Sequence, residues 1–422
     1  MSGPSRTRDL YGLLGAVGVS LLGTNMSFLA LPWFVLTTTG SATATGLVSF
    51  AQMAPYVLVQ ALGGPLVDRL GLRRTSVATD AAAAVLLGAV PALSALHALA
   101  LPALCGLVAL AGAARGAGDT ARTVLLPGTA ERAAMPLERA SGLYDGAGRL
   151  ATVVGAPVAG VLVAATSPAT AIAVDAASFF VSALLVARVV GRAAEAAPVT
   201  GPAAQPYWPS LRAGLRRLMD DRLLLGIAVM LVATNFVDQA GAGVLLPVWA
   251  RTVAHSPAAF GLVAGVFAAG AVAGNALTTW LGPRLPRRLT YAVGFAMAGA
   301  PRYVVMALAA TVGPVMAVML AAGLGAGGIN PILGAVEYER VPRAMQARVL
   351  GAMQALAWIG IPFGSLAGGV AVTAVGLRGA LAGAGVVYGA VTLAPFALPL
   401  WRQMDRGHAV LAAGSGEGTA LP

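Results

Sequence analysis

Asn235, Asp238 and Gln239 stand at i, i+3 and i+4 of a helical period, on one face of an apolar run that contains no basic residue, Leu223 to Trp249. A carboxylate in such surroundings, with no counter-ion in its own run, is equipped to take up and release a proton. Asp238 is therefore the first proton-coupling candidate. The plainer reading is a neutral acid hydrogen-bonded between helices. Arg115 and Asp119, at i and i+4, form a second constellation. Either they line a cavity, leaving Asp119 open to a proton or a ligand, or they close as a permanent ion pair. Asp145 and Arg149 repeat the spacing nearer one end of their run, where a structural charge pair is expected. Asn25 and Asn330 place single amides in two further runs, and with Arg115, Asn235 and Gln239 they make up a candidate cavity wall.

Other chemistries are excluded by residue type. All 27 basic residues are arginine, so no phosphate-binding loop ending in Gly-Lys-Ser/Thr can exist and ATP-driven work by this chain is not expected. Three histidines, His97, His255 and His408, lie in or near loops and the tail, and the single cysteine, Cys105, sits in an apolar run. Neither type makes a metal site here, and no disulfide can form within the chain. Nor is there a nucleophile with a base inside an apolar run, so no enzyme is expected.

The elements that must position these groups are legible from composition. Of 422 residues, 58% are apolar and 10% charged, against about 25% charged in an ordinary soluble domain, and the mean hydropathy is +0.81. A soluble globular protein is thereby excluded. The 54 Gly and 26 Pro are spread through the apolar runs, as membrane helices tolerate. Twelve segments are long enough to cross a bilayer at about 20 residues each: Leu10 to Thr37, Ala44 to Leu66, Thr75 to Leu96, Leu99 to Leu125, Ser141 to Ala165, Pro168 to Val190, Leu223 to Trp249, Ala258 to Leu281, Leu289 to Thr311, Pro314 to Val336, Val349 to Val375 and Leu377 to Leu400. The first is too long for the apolar core of a signal peptide and reads as an uncleaved membrane helix.

A net charge of +11 invites a nucleic-acid reading, but the arginines fall in short clusters between apolar runs. Counted along the twelve segments, 22 of the 27 lie on the side shared by both termini, only Arg251 and Arg378 lie opposite, and Arg115, Arg149 and Arg302 fall inside segments. Positive charge marks the cytoplasmic side, so both termini are expected there, in a multi-pass protein of the cytoplasmic (inner) membrane. Arg302, beside Pro301, has no role in this reading.

The chain also repeats itself. Pro32 is followed fourteen residues later by Gly46-Leu47-Val48, and Pro247 fourteen later by Gly261-Leu262-Val263. Thr24-Asn25 is echoed by Thr234-Asn235, Gly116-Ala117-Gly118 by Gly325-Ala326-Gly327, and Glu131-Arg132 by Glu339-Arg340. The expected organisation is a first six-helix bundle over residues 1–190, a linker over 191–222 and a second bundle over 223–406. A disordered tail is expected over 407–422. The linker ends in an amphipathic stretch, Trp208 to Arg222, suited to the membrane surface.

Between the second and third segments the chain reads Gly64-Pro65-Leu66-Val67-Asp68-Arg69-Leu70-Gly71-Leu72-Arg73-Arg74. This resembles the signature loop of the major facilitator superfamily. Arg115 to Arg122 with Leu126-Pro127, and Gly328 to Pro331 with Arg348 to Gly351, resemble its branch of siderophore exporters and macrolide efflux proteins. Thr120 replaces that branch's usual proline, and the matching second-half loop, Gly282 to Arg288, has no counterpart of Asp68. The resemblance implies an all-α integral membrane fold of two pseudo-symmetric six-helix bundles. It also implies a cavity lined by helices 1, 4, 7 and 10, and a conformational latch made by Gly64, Asp68, Arg69, Gly71, Arg73 and Arg74 against helix 11. Gly155, Pro157 and Gly160 in helix 5 resemble a shortened antiporter motif that lets helices bend and pack closely. The expected function is proton-coupled efflux of a hydrophobic or amphipathic small molecule, such as a drug, antibiotic or siderophore-like product. It would proceed by alternating access, in a monomer, with no cofactor and no nucleic acid. An importer, a lipid flippase or a transport-dead sensor are the alternatives.

Overall fold

The computed structural model describes residues 4–64, 67, 70–191, 207–281, 284–342 and 345–406. These residues are helical almost throughout. The first bundle comprises α1 (Pro4–Thr39), α2 (Ala42–Leu62), α3 (Leu72–Ala95), α4 (Leu101–Arg132), α5 (Leu137–Ala165) and α6 (Pro168–Val189). The amphipathic α7 (Tyr207–Asp220) follows. The second bundle opens with α8 (Arg222–Ala240), one π turn (Gly241–Leu245) and α9 (Leu246–Thr252), which together make one crossing. It continues with α10 (Pro257–Leu281), α11 (Arg287–Ala298), α12 (Ala300–Leu308), α13 (Val312–Arg340), α14 (Gln346–Ile359), α15 (Ile361–Thr392) and α16 (Ala394–Ala397), and ends in a 3-10 segment, Pro399–Arg406. The expected tail and most of the linker lie outside the described residues.

Helix starts follow local chemistry. Ser41 accepts the amide of Ala44, Ser167 that of Thr170, and Asp221 those of Leu223 and Leu224, each satisfying orphan donors of a first turn. Gly40, at φ +69°, allows the reversal between α1 and α2 within two residues.

Among the described residues, eleven stretches are long and apolar enough to cross a membrane, and the eleventh, Arg348–Ala397, is 50 residues long. At about 1.5 Å per residue it would far exceed a hydrocarbon core of about 30 Å. It is broken at Gly376, where φ is +73°. The ninth expected segment is also interrupted: α11 and α12 meet at Gly299, whose φ and ψ of −101° and −106° are non-helical.

Packing repeats the sequence symmetry. Within the bundles α2 lies on α4 as α10 lies on α13, and α3 lies on α4 as α11 lies on α13. Between bundles α5 packs on α10 and α15 packs on α2, the same contact exchanged. These junctions need small residues. A Cβ on Gly160 would meet the Gly261 Cα at 3.0 Å, and one on Gly369 would meet the Thr43 Cα at 3.0 Å, so the backbones themselves touch. We call the side bearing Pro4 and Arg406 the terminal face and its opposite the far face. From the far face inward, the bundles are joined by the Thr43–Thr373 hydroxyl pair (2.8 Å), by Arg251 donating to the Leu36 carbonyl, and by the ring pairs Phe50–Phe363 (5.5 Å) and Tyr56–Trp358 (6.3 Å).

Candidate functional site

Two cavities lie near mid-depth. The larger, about 450 Å³, is bounded by Leu21 of α1, by Tyr144, Asp145, Gly148, Arg149 and Thr152 of α5, and by Phe267, Ala268, Ala271 and Val272 of α10. It therefore lies between the bundles. The smaller, about 120 Å³, lies within the second bundle and is lined by Thr234, Asn235 and Asp238 of α8, by Asn330 of α13, by Arg302 of α12 and by a set of rings and aliphatic groups. Phe267 lines both cavities, so one ring forms their common wall.

Asp238 does not stand unpaired. Arg302 reaches it from α12 and makes an ion pair, because the break at Gly299 starts a new helix three residues before the arginine. The Asp238 side chain remains 39% exposed and that of Arg302 11%; both line the smaller cavity, and the carboxylate is the more exposed member of the pair. The guanidinium also donates to the Tyr303 hydroxyl at 3.0 Å and stacks near three rings, Phe267, Tyr303 and Tyr388. Sequence reading missed this pair. Its available signal was an arginine inside an apolar segment with no partner there.

The other expected wall residues divide. Asn235 lines the smaller cavity while donating to the Ala357 carbonyl at 2.9 Å, and Gln239 donates to Ser365 Oγ at 3.2 Å; both therefore tie α8 to the α14–α15 stretch. Asn330 is exposed to the smaller cavity. Asn25 turns back on its own helix and donates to the Leu21 carbonyl at 2.7 Å.

Arg115 and Asp119 are not an ion pair with each other. Arg115 is buried with its guanidinium carbon 5.3 Å from the ring centres of both Phe28 and Tyr56. Asp119 is instead held by Arg122 at 2.7 Å and by the Tyr56 hydroxyl at 3.1 Å. Arg122 in turn grips both oxygens of Asp80 on α3, at 2.6 and 2.7 Å, and Ser182 of α6 donates to the same carboxylate at 2.6 Å. Asp80 and Arg122 are almost fully buried, and sequence reading counts Arg122 only among the 22 arginines on the side of the termini. An arginine near a segment end looks topogenic until the acid facing it on another helix is known.

Asp145 and Arg149 also form no ion pair with each other; both face the larger cavity. Of the expected latch, Asp68 and Arg69 lie outside the described residues. Gly71 adopts φ +86°, which only glycine takes freely, and starts α3. Arg73 donates to the Val190 and Ala187 carbonyls at the end of α6, so it caps a helix of its own bundle. Gly64 has open space around its Cα, and Arg74 is the second residue of the pair that follows Gly71. The helix-bending residues of α5 serve packing on two sides. Gly155 lies against Asn25 and Leu22 of α1, while the Pro157 ring fills the space beside Gly265 and Gly160 meets Gly261.

Among the described residues, no group of three or more His, Cys, Asp or Glu side chains could hold a metal ion.

Comparisons agree with this architecture. The family model described as Major Facilitator Superfamily matches residues 13–255 and 228–417. The multidrug efflux pump Tap of Mycobacterium tuberculosis (strain ATCC 25618 / H37Rv) is 30% identical over 402 residues, 93% of this chain and 94% of that protein. Tap of Mycolicibacterium fortuitum is 27% identical over 360 residues, covering 84% and 87%. Among solved structures, the nucleoside transporter NupG superposes with a TM-score of 0.74 at 13% identity, over 93% of this chain and 99% of that one. A bacterial homologue of the human lysosomal transporter Spinster superposes with 0.68 at 14% identity, over 96% and 98%. At these identities the structures establish the fold alone.

Proposed function

Because this chain belongs to the Major Facilitator Superfamily, and is thus a multi-pass membrane transporter and no enzyme, we propose that it is a proton-coupled exporter of hydrophobic or amphipathic small molecules. In this reading the chain crosses twelve times, with Gly376 turning it between the last two, so that both termini share one side, and the arginine clusters support a cytoplasmic location for that side.

The observation that carries the reading is the Asp238 carboxylate, 39% exposed into a cavity whose wall it shares, through Phe267, with the larger space between the bundles. An acid that reaches a water-accessible cavity can exchange a proton, and its pairing with Arg302 makes that exchange change the local charge. Protonation would release the guanidinium, and Arg302 stacks on the wall that a substrate in the larger cavity would touch. The two events are then linked through one ring. Asp119, tied to Arg122 and Tyr56, is the second proton-coupling candidate.

The distribution of contacts supports a cycle of alternating access. The far face is closed by backbone against backbone, while the cavities lie at mid-depth below it, as in a carrier open toward the cytoplasm. Relatives named as multidrug efflux pumps support the outward direction and a range of drugs as substrates.

The test is export of a panel of lipophilic dyes and antibiotics from preloaded vesicles, with and without an imposed proton gradient, for the wild type and Asp238→Asn. Gradient-driven flux that is lost in the variant supports the reading. Flux that survives moves coupling to Asp119, and absence of flux for every compound sinks the exporter in favour of an importer, flippase or sensor.

A further inference from the structure

We propose that Arg302 is a specificity residue: its guanidinium is a built-in cation that fills an aromatic site on Asp238 and so keeps cationic amphiphiles out of it. The proposal rests on the reading of the chain as a carrier of amphipathic molecules and adds which of them it admits. Uncharged and zwitterionic compounds are accepted, and monovalent cations are turned away.

The site has the parts of an ammonium receptor. The Arg302 guanidinium carbon lies 5.6, 4.7 and 5.6 Å from the ring centres of Phe267, Tyr303 and Tyr388, and the Asp238 carboxylate closes the remaining side. Three aromatic faces and one carboxylate around a cation are the arrangement that recognises quaternary and alkyl ammonium groups. Here the occupant is part of the chain.

The cage is held independently of what fills it. The Tyr303 hydroxyl donates to the Val237 carbonyl at 2.9 Å, which anchors that ring to α8. Gly241 leaves room for the Tyr303 hydroxyl, and a Cβ there would stand 2.6 Å from it. Gly299 does the same for the Tyr388 ring, which crosses the space a Cβ would need. Removing the arginine head would therefore leave a formed receptor.

Tethering gives the resident cation an advantage. A group fixed to the same chain competes at an effective concentration of roughly millimolar or more, and it neutralises the carboxylate before any ligand arrives. An incoming ammonium meets a carboxylate already paired and rings already covered. A neutral head group has no such competitor, a zwitterion can offer its own anion to the guanidinium, and either can use the Asn235 and Asn330 amides that line the same cavity. The first bundle holds a partial parallel: the repeat aligns Asp238 with Phe28, and there a buried arginine, Arg115, also lies on rings, those of Phe28 and Tyr56.

The experiment is equilibrium dialysis of radiolabelled benzyltrimethylammonium against the purified full chain in uncharged detergent, with no gradient present. Wild type should bind weakly and Arg302→Ala at least tenfold more tightly. Adding Asp238→Asn to that variant should abolish the gain, free methylguanidinium should compete for the opened site, and Arg302→Lys should restore exclusion. Arg302→Gln, uncharged and nearly the same size, gives the same reading if the alanine variant does not fold. Wild-type binding as tight as that of either uncharged variant, or a gain that survives Asp238→Asn, overturns the proposal. Because the assay needs no gradient, that failure would leave proton-driven export standing, while gained binding without export would do the reverse.

Discussion

Arg340 grips both carboxylate oxygens of Asp221 at 3.0 Å, joining the end of α13 to the start of α8. The first bundle makes the same joint between Arg132 and Asp9, from the end of α4 to the start of α1. Each half thus pins its first crossing to its fourth at the terminal face.

The pin sets a pH dependence. Burial pushes the Asp221 carboxyl upward, but the Arg340 hydrogen bond, the Leu224 amide and the arginine's charge outweigh it, and the group is held below its ordinary value. A depressed carboxylate stabilises the fold above its unfolded pKa of about 3.9 and loses that contribution as pH falls through the folded value. Asp221→Asn, which keeps an N-cap, should lower stability by about 1 kcal/mol at pH 7. The gap should close below about pH 4 in melting curves of purified protein, and a gap that widened there would refute the assignment.

The Asp80–Arg122 pair should be costlier to break. Both side chains are almost wholly buried, at 1% and 2% exposure, and removal of one partner strands the other charge, which costs about 3–5 kcal/mol. Arg122→Leu is expected to lose most folded protein, whereas Asp80→Asn combined with Arg122→Leu should recover much of it. Folded yield by size-exclusion chromatography decides the matter.

Closure at the far face can be locked. The Thr43 and Thr373 hydroxyls lie 2.8 Å apart across the bundles, close enough for a disulfide between cysteines at those positions. In a chain carrying Cys105→Ala, Thr43→Cys and Thr373→Cys, oxidation should stop transport and reduction restore it. Undiminished flux in the oxidised form would mean that the far face need not open.

The glycine contacts make a fourth test. Gly261→Ala puts a methyl against the Gly160 backbone, where the nearest atoms leave no space. Flux should fall at least tenfold while the isolated second bundle's own contacts are untouched, so melting should change far less than transport.

What the sequence discloses and what it hides divide along one line. Apolar runs and the internal repeat depend on neighbours in the chain, and both appear in the helices and their packing. The turn at Gly376 falls where the eleventh and twelfth segments were divided. Charge partners depend on neighbours in space. Arg115 is the proper helical distance from Asp119, yet Arg122, three residues on, takes that carboxylate because it also meets Asp80, and Arg115 turns to rings on α1 and α2. Arg302 and Asp238 are 64 residues apart and meet only because Gly299 interrupts the helix between α11 and α12. No periodicity announces a break made by a single glycine among 54.

The far-side seal has an electrical consequence. Its contacts are glycine backbone, threonine hydroxyls, phenylalanine rings and one arginine, with no carboxylate or imidazole among them. A proton that enters from the terminal face therefore finds no stepping stone among these contacts. An idle carrier behaves as an insulator, and a vesicle packed with it should keep its proton gradient until a substrate sets the bundles moving.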